Sequence, residues 1–374
     1  MQKPTIKAIV IGGSNTIIKD NYLFQTFKAL KALRFELDII ENLAVGGTTT
    51  FNGLYGLKRS DKLADADVLI IEYALNDTPT FSDDTRIKGM ANHWARAYEG
   101  VIRYAREVNP NIRIISIVLE SMTKPEARRF NMINAGIHYL TNYYNLEIID
   151  IASDFLRRVG QERAATKEFY KDANHYKPPV VFDIAKKLAR QLTGDYPAPR
   201  PLPDPLDPMN LSAAQAIGTE VFETELTPFS NSRFTIDTIE LANQDLRFTL
   251  ERGKLLALFY VDQMSSGVGH FSVNGEAFAA YMRKPGVRSG TYPWLMGMIS
   301  TEFLHPKNLM AEEEDRAYTL SVEPQGIGVK PFRPAANVAN QPTDAPTLAF
   351  YGLLHTGKMT HLDLVPRQMA HAAE

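Results

Sequence analysis

Cysteine is missing from all 374 residues. Its absence excludes disulfides, a thiolate nucleophile and Cys-ligated zinc together. Charge imbalance is missing too: 41 Lys and Arg face 43 Asp and Glu, a formal net charge of −2. With no basic excess to hold a polyanion, nucleic acid is not an expected partner. No apolar run approaches the roughly 20 residues of a membrane span. After Met1, the residues Gln2, Lys3 and Pro4 lead into a short strand-like run rather than a signal-type apolar segment. The expected location is therefore cytoplasmic. Internal repeats are absent, and the one biased tract is rich in proline.

What is present is ordinary for a folded protein, with 44% hydrophobic and 22% charged residues. The length exceeds one core of usual size, so two domains are expected. Strand-like runs at 7–11, 37–40, 67–72, 112–119 and 146–149 alternate with helical patterns at 17–33, 86–108, 125–144 and 178–192. Such alternation predicts an α/β domain, a parallel sheet with helices on both faces. Six prolines then follow between 196 and 208: Pro197, Pro199, Pro201, Pro203, Pro205 and Pro208. That spacing suits neither helix nor inner strand and predicts a stiff, extended connector. Beyond it, short strands are expected at 234–241, 246–250, 255–261, 270–273, 318–322 and 347–353. Asn274-Gly275 reads as a hairpin turn. The expected division is a domain over 1–195, a linker over 196–209 and a mostly antiparallel β domain of sandwich or jelly-roll type over 210–374.

Four segments carry candidate chemistry. Gly12-Gly13-Ser14-Asn15 follows the first strand, where two glycines allow a sharp turn that exposes Ser14 at a helix start. The same residues also read as a plain strand-to-helix turn with Ser14 as its cap. A dinucleotide fingerprint fits less well, for want of its third glycine. A Gly46-Gly47 pair follows Asn42 after the second strand; it offers an N–H to an anion, or simply makes a turn. Asn76, in Ala74-Leu75-Asn76-Asp77 at the end of the strongest strand, either aims its amide into the crevice or caps a turn. Asp172 stands three residues before His175, close enough to fold back onto one ring nitrogen and leave the other basic. The alternative is a surface loop with a capping Asp. A metal site would need more ligands than that pair supplies.

Taken in order, these blocks resemble the SGNH hydrolase family, also called GDSL esterases, over about residues 5–193. The family's blocks are a Gly-x-Ser segment, a glycine block, Gly-x-Asn-Asp and Asp-x-x-His. Two positions depart from the pattern: Gly13 stands where the name-giving motif has Asp, and Ala74 replaces the glycine of the third block. The resemblance implies a flavodoxin-like catalytic domain with Ser14 as nucleophile, His175 as general base and Asp172 as its orienting partner. It further implies an oxyanion hole made by the Ser14 N–H, the Gly47 N–H and the Asn76 amide. Gly47 is preferred to Gly46 because it lies five residues after Asn42, as in the family block. No cofactor or metal is implied.

The expected activity is removal of an acyl group, in the first place acetyl, from a carbohydrate through an acyl-enzyme. The alternatives are an O-acetyltransferase on the same scaffold and a silent glycan-binding protein. The expected partner is an acylated small molecule or a glycan. In the β domain, Tyr260, Phe271, Tyr281, Tyr292 and Trp294 are the candidate sugar-stacking aromatics, with most of them also readable as core. Asp83, Asp84 and the acidic stretch 312–315 read as solvated surface. His93, His138, His270, His305, His355, His361 and His371 receive no role.

Overall fold

Short runs of aliphatic and β-branched residues, each followed by a crossover of ten residues or more, have the long connections that parallel pairing needs. The computed structural model bears this out; it describes residues 4–82, 90–125, 130–196, 200–231, 234–300, 314–323 and 345–367. Two compact units result, Met1–Ala213 and Ala214–Glu374.

In the first unit, strands β1 (Thr5–Gly12), β2 (Glu36–Asn42), β3 (Val68–Glu72), β4 (Arg113–Val118) and β5 (Glu147–Asp150) form one sheet. Its order is β2-β1-β3-β4-β5, and every pairing is parallel. This is the flavodoxin-like order. All five residues of β3 are buried, as a strand covered on both faces requires. The helices are α1 (Ser14–Ile17), α2 (Tyr22–Ala32), α3 (Thr50–Arg59), α4 (Ala74–Phe81), α5 (Met90–Val108), α6 (Met132–Tyr143), α7 (Ile151–Val159), α8 (Gln161–Ala164) and α9 (Pro178–Thr193). Helix α2 packs with α9, and α3 packs with α5. Strand order reverses between β1 and β3, and the crevice beyond their carboxyl ends is where open α/β sheets place ligands.

Two predicted helices are shorter than their periodicity suggests. The pattern over 17–33 is split because Asp20 takes a left-handed φ of 58°. Asn21 then caps α2, its side chain accepting from the Phe24 N–H at 2.9 Å. Residues 126–129 of the pattern over 125–144 lie outside the described residues, and the helix that follows starts at Met132, where Asn131 accepts from the N–H groups of Ile133 and Asn134. Residues 86–89 of another predicted helix lie outside the described residues.

The proline tract does not leave the first unit. Its described part lies along α5: the Glu99 carboxylate, itself buried, accepts from the N–H groups of Leu206 and Asp207. Arg103 donates to the Pro203 carbonyl and Arg96 pairs with Asp207 at 2.6 Å. Backbone outside helices and sheets has no ladder partners, so it borrows them from helix side chains. Pro197 and Pro199 lie outside the described residues.

The second unit is built from two antiparallel sheets. One has the order β13-β10-β15-β8-β7, with β6 also on β15; the other is β12-β11-β14-β9-β16. The strands are β6 (Gln215–Gly218), β7 (Thr227–Ser230), β8 (Thr235–Glu240), β9 (Gln244–Glu251), β10 (Leu255–Gln263), β11 (Val268–Val273), β12 (Glu276–Tyr281), β13 (Trp294–Ile299), β14 (Arg316–Glu323), β15 (Ala349–His355) and β16 (Lys358–Pro366), with the short helix α10 at Pro285–Arg288. The sheets meet face to face: the Leu255 N–H of β10 donates to the Tyr318 hydroxyl of β14. Asn274 and Gly275, at φ 50° and 85°, make the predicted hairpin between β11 and β12.

Candidate active site

Strand β1 ends at Gly12, and the next two residues turn the chain into α1. Val45 N–H donates to the Gly12 carbonyl and Gly13 N–H to the Glu72 carbonyl, which ties the ends of β1, β2 and β3 together. Both glycines are set by close approach. A Cβ on Gly12 would stand 2.6 Å from the Thr16 hydroxyl, and one on Gly13 would stand 2.5 Å from the Asn76 amide nitrogen. The Asp of the name-giving motif would have to displace the Asn76 amide, which lies over that position. Ser14 is the first residue of α1 and is half-buried; Gly13 holds the cap position, so Ser14 is not the helix cap.

The loop before α9 carries the other two groups. His175 Nε2 lies 2.8 Å from Ser14 Oγ. Its Nδ1 lies 2.7 and 2.9 Å from the two oxygens of Asp172. Asp172 Oδ1 also accepts from the N–H groups of Asn174 and His175. Burial alone would raise the Asp172 carboxyl, but the Asn174 N–H and the His175 ring outweigh it and hold the group below its usual range. The loop is pinned from several sides. Asn15 Nδ2 donates to the Asn174 carbonyl at 2.9 Å, Met122 N–H donates to the Ala173 carbonyl, and the Tyr170 and Tyr176 hydroxyls both donate to the Glu120 carbonyl.

Asn76 sits in the first turn of α4, with Tyr73 at the cap position. One of its two amide hydrogens goes to the Thr48 carbonyl at 2.7 Å. Below it, the buried Asp77 accepts from the Thr50 N–H, the Thr50 hydroxyl and Trp94 Nε1, fixing α4 against α3 and α5. Burial pushes the Asp77 carboxyl up to about 7 against these donors. Gly47 is at φ 74°, a left-handed position that favours glycine. A Cβ on Gly46 would lie 3.6 Å from Ser14 Cβ, so the glycine block flanks the serine.

A serine hydroxyl, an imidazole held by a carboxylate and the Asn76 amide thus converge at the switch point between β1 and β3. The model of the GDSL-like Lipase/Acylhydrolase family matches residues 10–177, which span all of these groups. Residues 10–177 are a GDSL-like lipase/acylhydrolase domain. The class of this domain is that of a carboxylic-ester hydrolase. Among solved structures, a two-domain esterase active on acetylated mannans is similar at 15% identity, over 96% of this chain and 93% of that one, with a TM-score of 0.67. The same esterase co-crystallized with mannopentaose gives a TM-score of 0.64 at the same identity and coverage. A search of curated protein sequences gives no match.

Other residues of the GDSL-like domain went unnoticed in the sequence. Asn15 links the serine turn to the histidine loop. Thr16 and Glu72 lie beneath the turn, and the one sequence signal for them is an acidic residue closing an otherwise apolar strand. Of the unassigned histidines, His93 is buried against Phe51, His138 lies 2.8 Å from Asp150, and His355 is buried and held below its usual range by that burial. Asp83, Asp84, His305, His371 and positions 312–313 lie outside the described residues. Among the described residues, no group of three or more His, Asp or Glu is placed to hold a metal, and no helix is long and apolar enough to cross a membrane.

The aromatic set of the second unit divides. Tyr260 and Phe271 are core residues, at 3% and 4% exposure, so neither can stack on a ligand. Tyr260 donates its hydroxyl to the Met282 carbonyl instead. Tyr281 is half-buried. Trp294, also half-buried, packs edge-on against Phe229 and Phe234. Tyr292 alone of the five is exposed, at 47%.

Proposed function

We propose that this protein is a serine esterase that removes acetyl groups from a carbohydrate. The observation that carries the reading is the chain of contacts from Ser14 Oγ to His175 Nε2 and from His175 Nδ1 to Asp172. In the proposed cycle, Ser14 attacks the ester carbonyl while His175 takes the hydroxyl proton. Asp172 keeps Nδ1 protonated, leaves Nε2 basic and stabilises the imidazolium that forms. The remaining Asn76 amide hydrogen, with main-chain N–H groups of Ser14 and Gly47, receives the developing oxyanion. Such donors are each worth about 3 kcal/mol in the barrier. His175 returns its proton to the leaving alcohol, and water then attacks the acyl-Ser14 with His175 again as base.

The carbohydrate part of the proposal draws on the similar two-domain esterase, which is active on acetylated mannans. Tyr292 in the second unit is its candidate sugar-stacking residue, an exposed ring whose main-chain N–H is fixed by the Gly286 carbonyl. A fluorophosphonate probe followed by peptide mapping tests the chemistry. The adduct is expected on Ser14, and Ser14→Ala should lower kcat on p-nitrophenyl acetate by about 10⁵-fold. An adduct on another residue refutes the nucleophile. Acetate release from acetylated mannan, measured against longer acyl esters, tests the substrate. Transfer of acetyl to an added glycan, seen as a mass gain of the acceptor, would favour the transferase instead.

A further inference from the structure

The Glu72 side chain is wholly buried under the serine turn, at the end of β3. One oxygen, Oε2, lies 2.9 Å from the Thr16 hydroxyl. That hydroxyl lies 2.9 Å from the Tyr22 hydroxyl. The other oxygen, Oε1, is buried and has no hydrogen-bond partner among the described residues. The main-chain carbonyl of the same residue accepts the Gly13 N–H at 3.0 Å. Glu72 therefore grips the turn on both sides of Ser14, one residue before it and two residues after.

An ionised carboxylate is a poor occupant of that place. It would keep one carboxylate oxygen, with its share of the negative charge, away from water and without a donor, at a large desolvation cost. An uncharged acid fits: its O–H donates to Thr16, Thr16 passes its own hydrogen to Tyr22, and the orphan atom becomes a neutral carbonyl oxygen. The titratable groups that bear on it are Tyr22 from α2, Tyr73 on the next residue and Asp77 from α4, none of them a cation. We propose that Glu72 is a positioning residue that works as an uncharged acid, fixing the Ser14 turn through Thr16 and Gly13. This rests on Ser14 being the nucleophile. The direction of its titration agrees: burial, opposed by the Thr16 and Gly13 hydrogen bonds, pushes the Glu72 carboxyl up to about 8.

An alkaline limit follows. As pH rises through about 8, the buried acid ionises and its O–H is lost, so Thr16 must turn its hydrogen from Tyr22 to the new carboxylate. The turn then loses its geometry. The test is the rate of fluorophosphonate labelling against pH, with the adduct mapped. In the wild-type protein the rate should fall about tenfold by pH 9. Glu72→Gln, whose amide donates to Thr16 without titrating, should label within about threefold of wild type at pH 7 and keep that rate at pH 9. Glu72→Leu should lose at least tenfold at every pH. Should Glu72→Leu fail to fold by circular dichroism, Thr16→Val asks the same question, with a fall in kcat and an unchanged KM. An alkaline fall retained in Glu72→Gln, or a Gln variant no better than Leu, overturns the role of Glu72 while Ser14 labelling still stands. An adduct away from Ser14 in the wild-type protein overturns the nucleophile reading itself.

Discussion

The turn that carries Ser14 and the loop that carries Asp172 and His175 meet at 2.8 Å, yet they are held in different ways. The turn is inside the protein. Gly12, Gly13, Asn15 and Thr16 are buried, a carboxyl lies beneath them, and side-chain volume is excluded at two successive positions. The loop is outside. Residues 171–174 are exposed, and the Asp172 side chain has 56% exposure. Its order comes from hydrogen bonds to its own backbone and to neighbouring loops. Ser14 is thus positioned by packing and His175 by polar contacts, so the two sides should fail differently.

The loop side should show the larger loss of rate. Asp172→Asn keeps the shape but replaces one acceptor oxygen with a donor, which disfavours the tautomer that His175 needs. A fall in kcat of about 10³-fold on a simple acetate ester is expected, less than for a buried aspartate because solvent screens this one. A change of only a few-fold would mean that the exposed carboxylate does not orient the imidazole. The turn side should follow. Gly13→Ala brings a methyl to 2.5 Å from the Asn76 amide nitrogen and must push it aside. Loss of one oxyanion donor predicts a fall of about 10²-fold in kcat with KM little changed. An unaffected rate would remove Asn76 from the proposed hole.

That contrast also governs what could be read before any coordinates. Ser14 and Asn76 could be singled out because each lies in a short local block at a strand end, and Asp172 and His175 because they share one just before α9. Thr16 and Glu72 could not, since their contact joins residues 56 apart and neither sits in a chemically distinctive block. Helix α3 contains Gly53 and Gly56 and α4 contains Pro79, so local propensity argued against both. Burial prevails there: Gly53 has no room for a Cβ, because the Tyr73 ring would stand 2.6 Å from it. In the second unit, β16 went unread because it is a sheet edge with exposed Lys358, His361 and Asp363 breaking its apolar pattern. The docking of the proline tract on Glu99 and Arg103 depends on groups about 100 residues away, which no local pattern shows.

The two sides should also respond oppositely to pH. Glu72 and Asp77 have carboxyls raised to about 8 and about 7, so the folded state binds more protons than the unfolded chain between roughly pH 4 and 8. Stability from that side should fall as pH rises across this window. The Asp172 carboxyl is lowered, so its contribution is present above the unfolded value near pH 4 and is lost as pH falls through the lowered one. Melting curves from pH 3 to 9 test this. Glu72→Gln should flatten the decline between pH 5 and 8.5, and Asp172→Asn should alter only the acid end. A decline that survives Glu72→Gln undiminished would place its source elsewhere, with Asp77→Asn the next variant to measure.

The smallest effect should come from the bond that joins the two sides away from the Ser14–His175 contact. Asn15 donates its amide to the Asn174 carbonyl, from the buried turn to the exposed loop. Asn15→Ala leaves both halves with their own supports, so about 1 kcal/mol of stability and no more than a few-fold in kcat should be lost. Asn174→Ala is the matching control: only its main-chain atoms take part, so rate and melting temperature should hardly move. If Asn15→Ala instead cost as much as Gly13→Ala, the turn and the loop would have to be one cooperative element, and the division drawn between packing on one side and polar contacts on the other would fail.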